Sequence, residues 1–120
     1  MNDLVSIIIT NYNYGKFLSR AIRSCLSQEH LHFEVIIIDD NSEDESHNIL
    51  ESFSFLPKEK IRVFKNKENK GVAFSSNFGL HRSIGRFCIR VDADDFIAPE
   101  TCYFLKTYLQ KNKEAFCVSC

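Results

Sequence analysis

The 120-residue sequence has no run approaching the ~18 apolar residues that would suggest a membrane span. It has almost no net charge. Fifteen Lys and Arg stand against sixteen Asp and Glu, a formal −1, which excludes the basic field that favours nucleic acid or anionic lipid. MNDLVSIII does not read as a secretory leader: it carries an acid where a leader carries positive charge, and no small-residue cleavage site follows. A cytoplasmic protein is the expectation. The five cysteines, Cys25, Cys88, Cys102, Cys117 and Cys120, are odd in number and scattered. That argues against a disulfide framework and for reduced thiols. The final C-V-S-C lacks a second ligand pair at zinc spacing, so it reads as two thiols at the end of a buried strand. Internal repeats and low-complexity linkers are absent, and the length suits one domain with a real core. Neither G-x-G-x-x-G nor G-x-x-x-x-G-K-[ST] occurs, which removes the dinucleotide fingerprint and the P-loop.

What is present is an alternation of apolar runs and amphipathic stretches. LVSIIIT (4–10) and FEVIII (33–38) are continuous, β-branched runs that read as strands buried on both faces. Between them, KFLSRAIRSCLSQ (16–28) places Phe17, Leu18, Ala21, Ile22, Cys25 and Leu26 on one helical face, with Arg20, Arg23 and Ser27 opposite. Ser42 and Glu45 form a capping-box pattern before a helix that turns Ile49, Leu50 and Phe53 inward. IRVFKN (61–66) is a third, more exposed strand. Gly71 opens a helix with Ala73, Asn77, Leu80 and Ile84 on one stripe, stopped by Gly85. RFCIRV (86–91) is strand four. Pro99 suits the first position of a helix whose Leu105, Tyr108 and Leu109 face the core. AFCVSC (115–120) reads as strand five. Strictly alternating strands and helices predict an α/β fold, a mostly parallel sheet with helices on both faces.

In such a sheet ligands bind beyond the carboxyl ends of the strands, where the strand order reverses. If the strand order is 3-2-1-4, that crevice lies between strands one and four. The unusual polar residues fall there: Thr10, Asn11 and Tyr12 after strand one, Asp39 and Asp40 after strand two, Asp92, Asp94 and Asp95 after strand four. Like charges about 5 Å apart repel by roughly 3 kcal/mol at an effective dielectric near 20. Carboxylates cannot bind phosphate directly, but they hold hard divalent cations that bridge to phosphate oxygens. A D-x-D also caps helices, and Asp40 could accept backbone N–H groups in the turn before the second helix.

Four stretches, VSIIITNYNYGKFLSRAIRSCLSQ, FEVIIIDDNSEDES, NKGVAFSSNFGL and GRFCIRVDADDFIAPE, together resemble a family-2 glycosyltransferase with a Rossmann-like GT-A fold, in that family's order and approximate spacing. The resemblance implies a nucleotide-diphosphate sugar donor, UDP by default with dTDP or GDP open. It also implies Mn²⁺ or Mg²⁺ and inverting transfer to a glycan or lipid-linked acceptor. Carried over by position, Thr10, Asn11, Tyr12, Asp40, Asn77 and Asp92 would bind nucleotide, with Tyr12 near the base and Asp40 accepting from an imide N–H. Asp92 and Asp94 match the D-x-D; Asp94 would lie nearest the ribose or the cation, and Asp95 is the alternative metal ligand. Many relatives build cell-surface polysaccharide, so a place at the inner face of a membrane is compatible with the resemblance.

The sequence departs from the family in two places. Ser76 stands where the family usually has Arg; if that Arg helps neutralise the diphosphate, either Lys70, Arg82 or Arg90 takes its place or donor is bound less tightly. The family's general base lies beyond the region corresponding to Cys120, so residues 1–120 read as the nucleotide-sugar-binding half of a catalytic domain. A fifth strand ending there would leave apolar sheet uncovered and open to self-association. A nucleotide-sugar-binding module without turnover is the rival. A phospho-accepting receiver domain has its acids on other strands, and a sugar nucleotidyltransferase would carry a Gly-rich, basic loop in place of TNYNYGK.

Overall fold

The computed structural model describes residues 3–30 and 32–114. The expected strand five and the C-V-S-C pair lie outside these residues. Eight elements follow in strict alternation: β1 (Val5–Asn11), α1 (Gly15–Leu26), β2 (Phe33–Asp39), α2 (Ser46–Ser52), β3 (Ile61–Lys65), α3 (Val72–Arg82), β4 (Phe87–Asp92) and α4 (Thr101–Lys111). The sheet has the order β3-β2-β1-β4, and all three pairings are parallel.

Burial follows position in the sheet. All seven residues of β1 and all seven of β2 are buried, as unbroken apolar runs require of central strands. β3 and β4, the outer strands among the described residues, bury Ile61 and Val91 and otherwise alternate between partly covered and exposed residues. One face carries Val5, Ile7, Ile9, Phe33, Val35, Ile37 and Val91, packed against Leu18, Ile22 and Cys25 of α1, Leu50 of α2 and Cys102 of α4. The opposite face, with Ile8 and Ile38, receives α3. Helices therefore lie on both faces, as the alternation predicts. Each fully buried Ile or Leu contributes about 1.5–3 kcal/mol relative to exposure.

Three local expectations are corrected. Leu80 and Ile84 of the expected α3 stripe are 52% and 69% exposed, and Ser75 and Gly79 are buried instead. The helix backbone comes too close to the sheet for a larger residue, because a Cβ on Gly79 would stand 2.5 Å from Ile8 Cγ2. The capping box does not form. α2 begins at Ser46, whose N–H donates to Asp44 Oδ1 at 2.9 Å, while Ser42 is drawn into contacts with Asp39. α4 starts at Thr101 and buries Cys102 and Leu105, whereas Tyr108 is exposed. Pro99 stays in the preceding loop, where its carbonyl accepts the Glu29 N–H.

Burial pushes the Cys25 and Cys102 thiols up to about 12. Together with exposed Cys88 they are free cysteines among the described residues.

Candidate functional site

Because β1 and β4 are neighbours, their carboxyl ends open one cleft, on the order of 420 Å³, lined by Thr10, Asn11, Tyr12, Tyr14, Asp40, Asn69, Gly71, Val72, Ser75, Asp92, Ala93 and Asp94. It lies at the reversal of strand order, where open α/β sheets bind ligands.

Its floor is a knot of buried polar groups. Asn11 Nδ2 donates to Asp39 Oδ1 at 2.8 Å and to Ser46 Oγ at 2.9 Å. Asp39 also accepts from the hydroxyl and the backbone N–H of Ser42. Asn13, held at φ 57°, donates its N–H to Ser42 Oγ and accepts the Glu43 N–H through its side chain. Asp44 reaches back to the Gly15 N–H that begins α1. The loops after β1 and β2 are thereby tied together. Asn11 Oδ1 is buried and has no partner among the described residues, an open acceptor on a residue that lines the cleft.

Asp40 closes the next side. Its carboxylate accepts the Lys70 N–H at 2.7 Å, the Gly71 N–H at 2.8 Å and Asn66 Nδ2 at 2.9 Å. Burial raises its pKa, but these three hydrogen bonds outweigh that and hold it below the usual carboxylate value. The alternative expected for Asp40, backbone N–H acceptance, is realised across the sheet at the entry to α3, not in the turn before α2. Three of about four lone-pair directions are used, leaving one for a ligand. Gly71, at φ 93°, makes the turn that presents both N–H groups.

The third wall is the acid loop. Single ligand atoms of Asp92, Asp94 and Asp95 all lie within 4.8 Å of one another. Two oxygens bound to one Mg²⁺ or Mn²⁺ at about 2.1 Å stand at most about 4.2 Å apart, so modest side-chain rotation brings these carboxylates onto a common ion. Three carboxylates are the hard oxygen donors such ions take, and the residues present fit a hard divalent cation. Arg90 lies alongside, its guanidinium 3.4 Å from Asp92 Oδ1 and 3.2 Å from Ser76 Oγ. Lys70 is paired with Glu68 at 2.8 Å, and Arg82 stacks on Phe64 and Phe78.

Of the residues expected from the sequence, Thr10, Asn11, Tyr12, Asp40, Asp92 and Asp94 line the cleft, and Asp95 joins through the acid cluster. Asn77 is exposed on α3 and is not among the lining residues. Tyr14, Asn69, Gly71, Val72 and Ser75 were not anticipated there. The signals that could have marked those from Asn69 onward are the Asn-Lys-Gly turn and the NKGVAFSSNFGL stretch that carries part of the resemblance.

Fold and cleft together define a Rossmann-like GT-A protein. The chain matches the family model described as glycosyl transferase family 2 over residues 6–120, and it belongs to that family. It is 38% identical over 109 residues to an uncharacterized glycosyltransferase of Haemophilus influenzae, covering 91% of this chain and 33% of the relative. It is 31% identical over 97 residues to glycosyltransferase GlyG of Streptococcus pneumoniae, covering 81% of this chain and 32% of the relative. The chain thus spans about a third of the length of these curated relatives. Among solved structures, S. aureus TarS in complex with UDP-GlcNAc superposes with a TM-score of 0.80 at 28% identity, over 91% of this chain and 32% of that one. The mannosyltransferase PcManGT of Pyrobaculum calidifontis, in complex with GDP-Man and Mn²⁺, shares the fold with a TM-score of 0.80 at 21% identity, over 88% and 32%.

Proposed function

We propose that residues 1–120 are the donor-binding half of an inverting, divalent-cation-dependent glycosyltransferase that takes a UDP-linked sugar. The observation that carries this reading is the meeting of three carboxylates at the mouth of a cleft whose other walls suit a nucleoside. The crystallised complex of TarS with UDP-GlcNAc supports UDP as the nucleotide.

Each residue has a role that follows from its placement. Tyr12 and Tyr14, each 44% exposed at the rim, offer ring faces for base stacking. The free lone pair of Asp40 accepts an imide N–H of uracil. The hydroxyl of Thr10 serves the ribose, and Asn11 fixes the cleft floor through Asp39 and Ser46. Asp92, Asp94 and Asp95 hold Mg²⁺ or Mn²⁺. When bound, such an ion supplies positive charge where the departing diphosphate gains negative charge. Arg90, beside Asp92 and unencumbered by ring stacking, takes the diphosphate-neutralising part that Ser76 cannot. Asn77 is left without a donor contact in this reading.

No acid lining the cleft is free to deprotonate an acceptor hydroxyl. Asp40 is committed to the turn at 69–71, and a carboxylate bound to a cation is a weak base. The general base and the acceptor site are therefore assigned to parts of the protein other than residues 1–120. A glycan acceptor in surface polysaccharide synthesis is the class we favour. A TuaG relative, 38% identical over 92 residues and provisionally named for teichuronic acid biosynthesis in Bacillus subtilis, supports it.

Calorimetric titration with UDP, dTDP and GDP, with and without Mn²⁺, tests the donor reading. UDP binding should require Mn²⁺ and disappear when Asp94 and Asp95 are both replaced by Ala. Binding that ignores the metal and survives the double substitution would refute it.

A further inference from the structure

The polar face of α1 does not simply face water. Arg20, Ser24 and Gln28 are spaced by four, so they lie on one side of the helix and its C-terminal end, and each engages the backbone of the acid cluster or of the segment that follows it. Arg20 Nη2 donates to the Asp94 carbonyl at 3.1 Å. Ser24 Oγ accepts the Ile97 N–H at 3.1 Å. Gln28 Nε2 donates to the Ala98 carbonyl at 2.8 Å, and its Oε1 accepts the Cys102 N–H at 2.9 Å. The Arg20 guanidinium also lies over the Phe96 ring, 4.5 Å from its centroid, and 5.5 Å from that of Phe17.

We propose that this stripe is a template for the acid loop and that Arg20 is a positioning residue for the Asp92–Asp94–Asp95 cluster. On the strand side the loop is held where the Ala93 N–H meets the Thr10 carbonyl at 3.1 Å. Within the loop the Asp95 N–H meets the Asp92 carbonyl at 2.9 Å, a turn that the Arg20 contact at the Asp94 carbonyl braces from α1. Arg20 is the rung at the cluster itself, and its delocalised guanidinium over the Phe96 ring, 4.5 Å from the centroid, is a contact Lys does not reproduce. The inference rests on the donor reading only for its consequence, cation affinity; the positioning of the loop stands apart from it.

Charge and position pull cation affinity in opposite directions, which makes the test decisive. Removing a guanidinium near three carboxylates strengthens Mn²⁺ binding by charge alone. Loss of positioning weakens it. In Arg20→Gln, compared with wild type and Arg20→Lys, Mn²⁺ affinity is read by electron paramagnetic resonance, and amide exchange by NMR without metal. The expected result is Mn²⁺ bound roughly tenfold more weakly in Arg20→Gln, with Arg20→Lys in between. The Asp95 and Ile97 amides should exchange at least about tenfold faster, while the β1 and β2 amides stay protected as in wild type. Unchanged exchange at Asp95 and Ile97, or Mn²⁺ bound equally or more tightly, overturns the proposal. If wild type itself binds no Mn²⁺, the metal reading fails, and the exchange rates still decide whether Arg20 holds the loop.

Discussion

Two buried carboxylates show how single residues hold this architecture. Glu34 sits on β2 with its side chain 4% exposed. It accepts Arg62 Nη2 at 2.8 Å, Ser6 Oγ at 2.6 Å and the Ile84 N–H at 2.8 Å. Burial raises its pKa, but these hydrogen bonds and the Arg62 charge outweigh that and leave it below the ordinary 4.5. A depressed folded-state pKa means stability that is present above the unfolded value and is lost as pH falls through the folded one. Glu34→Gln should therefore cost about 3 kcal/mol near pH 7 and flatten the loss of stability below about pH 4.5. Urea melts of both proteins from pH 7 to pH 3 check this, and parallel pH profiles would contradict it. Asp40→Asn keeps one acceptor oxygen but turns an NH₂ toward the Lys70 or Gly71 N–H. A loss of about 2 kcal/mol in chemical denaturation is expected, with exchange at the amides of residues 70 and 71 accelerated. The partners of neither carboxylate could be read from the sequence. Glu34 appears there as one acid in an apolar run, and Asp40 has partners twenty-six to thirty-one positions away.

At the scale of elements, strands and helices were legible because burial imposes a period on the sequence, while the buried face of a helix depends on how closely it approaches the sheet. α1 carries large apolar residues at helical spacing and sits as expected. α3 was misjudged because close approach excludes bulk, so Ser75 and Gly79 go inward and Leu80 and Ile84 outward. Gly79→Leu should therefore be more damaging than Leu80→Ser, although it adds apolar surface. Overpacking against Ile8 should cost about 1–3 kcal/mol or more, and Leu80→Ser less than about 1 kcal/mol. Thermal melts of the two variants compare them directly, and a reversed order would mean that α3 stands off the sheet. The polar stripe of α1 is the counterpart case. Sequence places Arg20 on the solvent side, but its partner is a carbonyl seventy-four residues on.

Across the whole molecule, binding should appear as stability. A ligand at one hundred times its Kd adds about 2.7 kcal/mol to a fold that alone recognises it. UDP with Mn²⁺ should raise the melting temperature by several degrees for a domain of this size. EDTA should reverse the shift, and UDP without metal should give little of it. An equal shift with and without metal would place the nucleotide elsewhere than against the acid loop.

Sequence by itself determined the element order, the two central strands and the location of unusual polar residues at strand ends. Hydrophobic burial dictates periodicity locally, and periodicity survives without coordinates. Tertiary structure alone decided which strands adjoin, which side of α3 faces inward, and which partners Asp40, Glu34 and Arg20 take. Those depend on backbone approach and on hydrogen bonds between segments far apart in the chain, and a buried polar group is satisfied by whatever lies near it in space, not by its neighbours in sequence.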